Sequence, residues 1–218
     1  FSFIVIYSHS RLNTFEQCPL KFKFVYIDKI EPEVKQTIEG FMGNMVHETL
    51  EKLYYDLKYQ RLIELNELML FYNSRWTQEI SKDIAVIRQE YTIEDYRKMG
   101  EKYLIDYYNH YFPFNQDKTI ELEKQIQIKF CDGEEFLLTG FIDRLSCLDD
   151  GTYIIHDYKT AGTLPTQDKI EDDRQLMHTS AYIHKHPFEI NGWAGKEDKY
   201  PWSSYQDCIG KKNFPSVI

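Results

Sequence analysis

The first half of the chain carries apolar residues at helical spacing. Over about 34–60 they recur every three or four positions, and the same period returns over about 62–83 and 93–111. We therefore predict three amphipathic helices. Gly40 and Gly43 lie inside the first, and since glycine disfavours a helix, Gly43 indicates close approach to another backbone.

Apolar and polar residues alternate in the stretches that follow, which predicts β-strands. The alternation covers about 119–130, 135–145 and 153–159, and turn residues separate the three runs. We expect a three-stranded antiparallel meander. A helix over about 170–185 follows, and after Pro187 no clear period remains.

The apolar opening over 1–7 predicts one more strand, since it is short and lacks the basic leader of a signal peptide. This order of elements indicates an α+β (mixed α/β) fold, with a central antiparallel or mixed sheet flanked by helices. A helix capped by Ser10 or Asn13 is expected near the start, and Pro19 breaks or restarts it.

Length and composition fit a folded protein with a substantial core. The chain has 218 residues, of which 42% are hydrophobic. We predict a single domain over 1–218 with a helical lobe at about 60–115. No run of 18 apolar residues occurs, which predicts no membrane span and a cytoplasmic location. The net charge of −9 requires that any contacts with nucleic acid be local.

The four cysteines are widely scattered, which favours free thiols over a structural zinc site; they are Cys18, Cys131, Cys147 and Cys208.

The last two predicted strands end in charged residues. Asp143 lies near the end of one, and Asp157 and Lys159 share a face at the end of the next. A hairpin brings these ends together only if the first strand bends. Two adjacent carboxylates repel unless a cation lies between them, and hard divalent metals prefer oxygen ligands. The alternative is a surface hairpin with ordinary charges.

Two further stretches allow a functional and a purely structural interpretation. Lys21 and Lys23 interleave with aromatic residues, a pattern that suits phosphate contact and base stacking or, equally, a buried aromatic face with a solvated edge. His47 is either a metal ligand or a satisfied, partly buried histidine. Glu123 lies beside the candidate site on its strand, and we interpret it as solvated.

Several separated motifs together resemble the RecB-like nucleases of the PD-(D/E)XK superfamily, which include RecB and AddB nuclease domains and CRISPR-associated relatives. The resemblance covers roughly 8–182. Its parts, in chain order, are Ser10-Arg11-Leu12 through Cys18-Pro19-Leu20-Lys21-Phe22, Gly43-Asn44-Met45-Val46-His47, Gly140-Phe141-Ile142-Asp143-Arg144, Asp157-Tyr158-Lys159-Thr160 and Gln175-Leu176.

The resemblance implies a restriction-endonuclease-like core and a set of roles. His47, Asp143, Asp157 and the carbonyl of Tyr158 would ligate Mg²⁺ or Mn²⁺. Lys159 would hold or polarise the attacking water, and the last motif would supply Gln175. We also assign contacts with nucleic acid to Lys21, Lys23, Arg144 and Tyr182.

The sequence departs from the family pattern at three points, which limits the residue roles that can be assigned from the resemblance. The tyrosine expected four residues after the glutamine is Thr179, and Tyr182 lies on the same helical face. Cys18 fits the early position of an iron–sulfur ligand set, but only Cys208 follows later, so we predict no cluster. A late strand expected after the glutamine helix is not apparent.

The predicted function is a metal-dependent DNA nuclease, acting as an exonuclease on ends or single strands. Its setting would be recombination, repair or phage-type DNA processing, with a helicase or recombination protein as a partner. Two alternatives stay open: a catalytically idle nucleic-acid-binding or scaffold domain, which the negative net charge favours, and a small-molecule metalloenzyme.

Overall fold

The computed structural model describes residues 5–32, 34–132 and 134–160, which fall into two compact units. The first unit holds 5–13, 125–132 and 134–141, and the second holds 14–32, 34–124 and 142–160. In chain order, the helices and strands of the described residues are β1 (Val5–Ser8), α1 (His9–Gln17), α2 (Pro19–Phe22), a π-helical turn (Lys23–Ile27), β2 (Gln36–Thr37), α3 (Ile38–Lys58), α4 (Leu65–Glu79), β3 (Ile84–Ala85), α5 (Ile93–Tyr111), β4 (Lys118–Asp132), β5 (Glu134–Cys147) and β6 (Tyr153–His156).

In the first unit, β5 lies between β1 and β4. β1 runs parallel to β5, with Tyr7 opposite Leu138 and Ser8 opposite Thr139. On the other side, the Thr139 hydroxyl donates to the carbonyl of Ile126 at 3.3 Å. The opening strand was predicted, but its parallel pairing was not, and it makes the sheet mixed.

Side chains near the start of α1 and α2 satisfy free backbone N–H groups. The Ser8 hydroxyl accepts from the N–H of Arg11 at 3.2 Å, so the cap is Ser8 and the predictions of Ser10 or Asn13 were wrong. After α1 the chain restarts at Pro19, where the Cys18 sulfur accepts from the N–H of Lys21 at 3.4 Å. Cys18 therefore has a local structural role.

The core of the second unit is formed where α3 packs against α4 and α5. The three predicted helices are confirmed, with ends that differ by a few residues from the predicted ranges. Thr37 caps α3, and Thr92 forms a reciprocal capping box with Asp95 at the start of α5. The buried apolar residues of α3 lie at the predicted spacing: Ile38, Phe41, Met42, Met45, Val46, Leu50, Leu53 and Tyr54.

The second unit also contains α4 and α5, which cover most of the predicted helical lobe at 60–115. Both helices pack against the same α3 core. The assignment of one domain with an inserted lobe stays a prediction.

Candidate functional site

The register of β5 and β6 sets the two predicted acids opposite each other. These strands are antiparallel, with Arg144 opposite His156 and Cys147 opposite Tyr153. One step further in the same register, position 143 faces position 157. Asp143 therefore lies one step beyond the paired residues, at the open end of the hairpin, where the register itself sets it opposite Asp157.

Strand β6 ends at His156, three residues before the predicted end. The reason is visible at Tyr158, whose backbone N–H donates to the Oδ2 of Asp143 at 2.7 Å. A side chain thus takes the place of a ladder partner, and the chain leaves the strand where the site begins. Lys159 still approaches Asp157, since its Nζ lies 2.7 Å from the carboxylate.

Helix α3 supplies His47 to the same place. Its Nε2 donates to the carbonyl of Tyr158 at 2.8 Å, and its Nδ1 lies 3.5 Å from the Oδ2 of Asp143. One turn earlier is Gly43, where an added Cβ would lie 3.2 Å from the hydroxyl of Thr160. Gly43 does lie close to another segment, but the predicted approach to a backbone was wrong, because the neighbour is a side chain.

Asp143 is the most enclosed acid of the site. Its side chain is 11% exposed. Burial raises the pKa of its carboxyl, and the nearby charge of Asp157 acts in the same direction; the N–H of Tyr158 and the imidazole of His47 oppose them. The folded protein therefore disfavours a bare negative charge at Asp143, which is the condition that a bound cation relieves.

Glu123 joins this cluster from β4. Among the described residues, His47, Glu123 and Asp143 form a group in which one donor atom from each lies within 4.8 Å of the others. Glu123 has a φ of 45°, an uncommon left-handed conformation inside a strand. Our interpretation of Glu123 as simply solvated missed this, because alternation along β4 carries no sign of a local irregularity.

The surroundings of Glu123 also change the pKa of its carboxyl. Desolvation of the carboxyl, followed by the negative charges of Asp143 and Glu51, raises the pKa of Glu123 to about 7. Glu51 lies one turn after His47 on α3, so Glu123 faces negative charge from both a strand and a helix.

This donor set fits a hard or borderline divalent cation. Since the Nε2 of His47 donates to a carbonyl, its Nδ1 keeps the lone pair that a metal requires. Ligand atoms of one ion at about 2.0–2.6 Å lie roughly 3–5 Å from one another, as the donors of His47, Glu123 and Asp143 do. Asp157 is not part of that group, and Lys159 binds its carboxylate.

Arg144 does not lie where a nucleic-acid contact could form. The residue is 2% exposed, and its guanidinium donates to the carboxylate of Asp117 at 2.6 Å. Alternation along β5 turns Arg144 away from the face that carries Asp143. The predicted contact of Arg144 with nucleic acid is therefore wrong, because its donors are used inside the protein.

The remaining predicted contacts are distributed as follows. Lys21 is exposed on α2, and Lys23 is 54% exposed and forms an ion pair with Asp28. Gln175 and Tyr182 lie outside the described residues.

Acid is expected to weaken the fold through His156, next to the site. Burial, and then the positive charge of Arg144, lower the pKa of His156 from 6.5 to about 4. Below pH 6.5 the unfolded chain takes up a proton that the folded chain refuses until about pH 4. The free energy of unfolding should fall by about 2–3 kcal/mol across this window. Urea unfolding at pH 7 and pH 4.5 measures it.

His156→Gln is the matched variant for this measurement, since an amide can accept from Arg144 and donate to Ser146 as the imidazole does. The loss between these two pH values should be much smaller in the variant. Equal losses in both proteins would show that another group causes the acid sensitivity.

The elements and this cluster define a mixed α+β fold with a histidine–carboxylate site next to a β-hairpin. The model of the PD-(D/E)XK nuclease superfamily matches residues 6–192. The chain therefore belongs to the PD-(D/E)XK nuclease superfamily, and the predicted restriction-endonuclease-like fold class is confirmed. Members of this superfamily typically use divalent metals.

A search of curated proteins found no match. In the described part of the chain, the helices are too short or too polar to cross a bilayer.

Proposed function

We propose that this protein is a divalent-metal-dependent nuclease that hydrolyses phosphodiester bonds in DNA. The observation that carries the proposal is the group formed by His47, Glu123 and Asp143, with donor atoms within 4.8 Å of one another. The group lies in a chain of a nuclease superfamily. A phosphodiester is anionic, so its hydrolysis needs positive charge at the phosphate and an activated water.

The residues of the site have two roles: some would bind the metal ion, and Lys159 supplies a positively charged side chain. His47 and the carboxylates of Asp143 and Asp157 would hold Mg²⁺ or Mn²⁺. The carbonyl of Tyr158, predicted as a further ligand, accepts from the opposite nitrogen of the His47 ring and orients that ligand instead. Glu123 is a further candidate ligand, since its carboxyl faces the same space. When bound, the ion neutralises phosphate charge and lowers the pKa of a bound water.

Lys159 supplies the second positive charge. Its ammonium contacts Asp157 at 2.7 Å, and the side chain is 53% exposed, so it can reach a substrate phosphate at the rim of the site. We assign it the positioning of the attacking water and the stabilisation of charge that develops on the phosphate. The ion pair with Asp157 favours this electrostatic role over that of a general base.

More specific assignments rest on the resemblance to RecB-like nucleases. They are action on ends or single strands, support of Lys159 by Gln175, contacts of DNA with Lys21, Lys23 and Tyr182, and a helicase or recombination protein as partner. Action on ends is tested by comparing a linear with a circular single-stranded substrate, because an exonuclease degrades only the linear form.

Lys159→Met tests the proposed function directly. Cleavage of linear DNA with Mn²⁺ should fall by about 10²–10³-fold, since one electrostatic stabiliser of the transition state is removed. Mn²⁺ binding, measured by calorimetry, should persist, because the ligands stay in place. Lys102→Met is the matched control: Lys102 is exposed on α5 and pairs with Asp106, so cleavage should not change.

Two results contradict the proposal. If wild type and Lys159→Met degrade DNA equally, the activity belongs to a contaminant. If wild type binds DNA but yields no product with Mg²⁺ or Mn²⁺, the chain is a binding domain that keeps the nuclease fold.

A further inference from the structure

Arg144 is the centre of a buried polar network directly beneath the candidate metal site. Its side chain is 3% exposed and pairs with Asp117, which is 11% exposed. The guanidinium also lies 3.8 Å from the centroid of the Tyr54 ring. A buried cation needs such compensation, and here a carboxylate and an aromatic face provide it.

The planar fork of the guanidinium is used in several directions. One terminal nitrogen donates to Asp117 at 2.6 Å and to Thr119 at 3.3 Å, and the other donates to the Nδ1 of His156 at 3.1 Å. The Nε donates to the hydroxyl of Tyr158 at 3.0 Å. The single ammonium of a lysine cannot reproduce these directions.

Tyr158 connects this network to the site above it. Its hydroxyl accepts from Arg144, while its backbone N–H donates to Asp143 and its carbonyl accepts from His47. The ring itself is held at right angles to that of Tyr107, with centroids 5.8 Å apart. The side chain of Tyr158 is therefore held by the buried network, while its backbone N–H and carbonyl contact the residues of the candidate metal site.

We propose that Arg144 is a positioning residue for the metal site and acts through the Tyr158 side chain. By holding that hydroxyl, Arg144 fixes where the Tyr158 carbonyl and N–H lie relative to His47 and Asp143. The neighbours Asp143 and Arg144 thus serve one site from opposite faces of β5. The part of this inference that concerns metal rests on the proposed function.

The test compares wild type, Arg144→Lys, Tyr158→Phe and the double variant. The first measurement is hydrogen exchange at the Tyr158 amide by NMR without metal, since this amide binds Asp143. We expect its protection to fall by about tenfold or more in each single variant. The loss in the double variant should be smaller than the sum of the two single losses, because both changes remove the hydrogen bond between Arg144 and Tyr158.

Arg97→Lys is the matched control, since Arg97 also forms a charged network, with Glu94 and Glu101 on α5. Urea unfolding of every variant separates a local effect from a global loss of stability. Exchange at the Tyr158 amide should follow global stability alone in Arg97→Lys. Unchanged protection in Arg144→Lys, or additive losses in the double variant, would overturn the proposal.

The second measurement is Mn²⁺ affinity by calorimetry. Arg144→Lys and Tyr158→Phe should each weaken it by about tenfold or more, the usual effect of removing a group that orients a ligand. If wild type itself binds no Mn²⁺, the proposed nuclease function fails, and the exchange experiment still decides whether Arg144 positions Tyr158.

Discussion

Asp143→Asn is expected to remove metal binding and to lower DNA cleavage by roughly 10³-fold or more, about 4 kcal/mol of activation free energy. The substitution removes one negative charge from the centre of the ligand group and keeps an oxygen that can accept from the N–H of Tyr158. Two measurements check it: the cleavage rate with Mn²⁺, and the rise in melting temperature that Mn²⁺ causes in wild type.

The loss should not come from unfolding. Burial raises the pKa of Asp143, so its charge opposes folding in the absence of metal. A neutral asparagine is therefore expected to keep, or slightly raise, the stability of the metal-free protein. Asp106→Asn, an exposed acid on α5 paired with Lys102, is the control and should leave cleavage unchanged.

Cleavage by Asp143→Asn within tenfold of wild type, with the Mn²⁺-dependent rise in melting temperature retained, would place the metal elsewhere. A melting temperature that is already lower without metal would instead indicate a structural role for the charge.

Gly100→Ala is expected to lower the free energy of unfolding by about 2 kcal/mol or more. Gly100 lies inside α5, where a new Cβ would approach the Cζ of Tyr72 to 2.9 Å and Met42 to 3.3 Å, with the Tyr72 hydroxyl closer still. Tyr72 is fully buried, and its hydroxyl donates to the carbonyl of Arg97 at 3.2 Å. The ring therefore has little room to move away.

Gly40→Ala is the matched control for Gly100→Ala. In α3 an added Cβ at Gly40 meets nothing closer than 3.7 Å. Its higher helix propensity should therefore stabilise the protein by about 0.5–1 kcal/mol.

Urea unfolding measures both glycine variants, and adding Tyr72→Phe to Gly100→Ala should recover part of the loss. If Gly100→Ala is as stable as wild type, the contact of α5 with α4 at this position is looser than described.

The helical half of the fold follows from local information. Period, capping residues and breakers predict where α3, α4 and α5 lie, because each of these signals acts within one or two turns of a helix. The segment 43–47 of α3 is also recognisable locally, because its glycine and histidine lie one turn apart in the sequence. In the structure, this part of the helix contacts Thr160 and Tyr158.

Long-range pairing explains what local patterns did not reveal. The parallel contact of β1 with β5 joins residues about 130 positions apart, and no short-range signal encodes it. The register that sets position 143 opposite 157 depends on the turn between β5 and β6. The left-handed conformation of Glu123 leaves no sign in the alternation along β4.

The sequence by itself determined the element types, the superfamily and the candidates His47, Asp143, Asp157 and Lys159, because these follow from periodicity and from short motifs. Only the tertiary structure decided which residues around these motifs contribute to the site and which do not. Arg144 points to the opposite face of β5, where Asp117 compensates its buried charge, and Glu123 joins the site from β4. These partners are distant in the sequence and meet only in the folded chain.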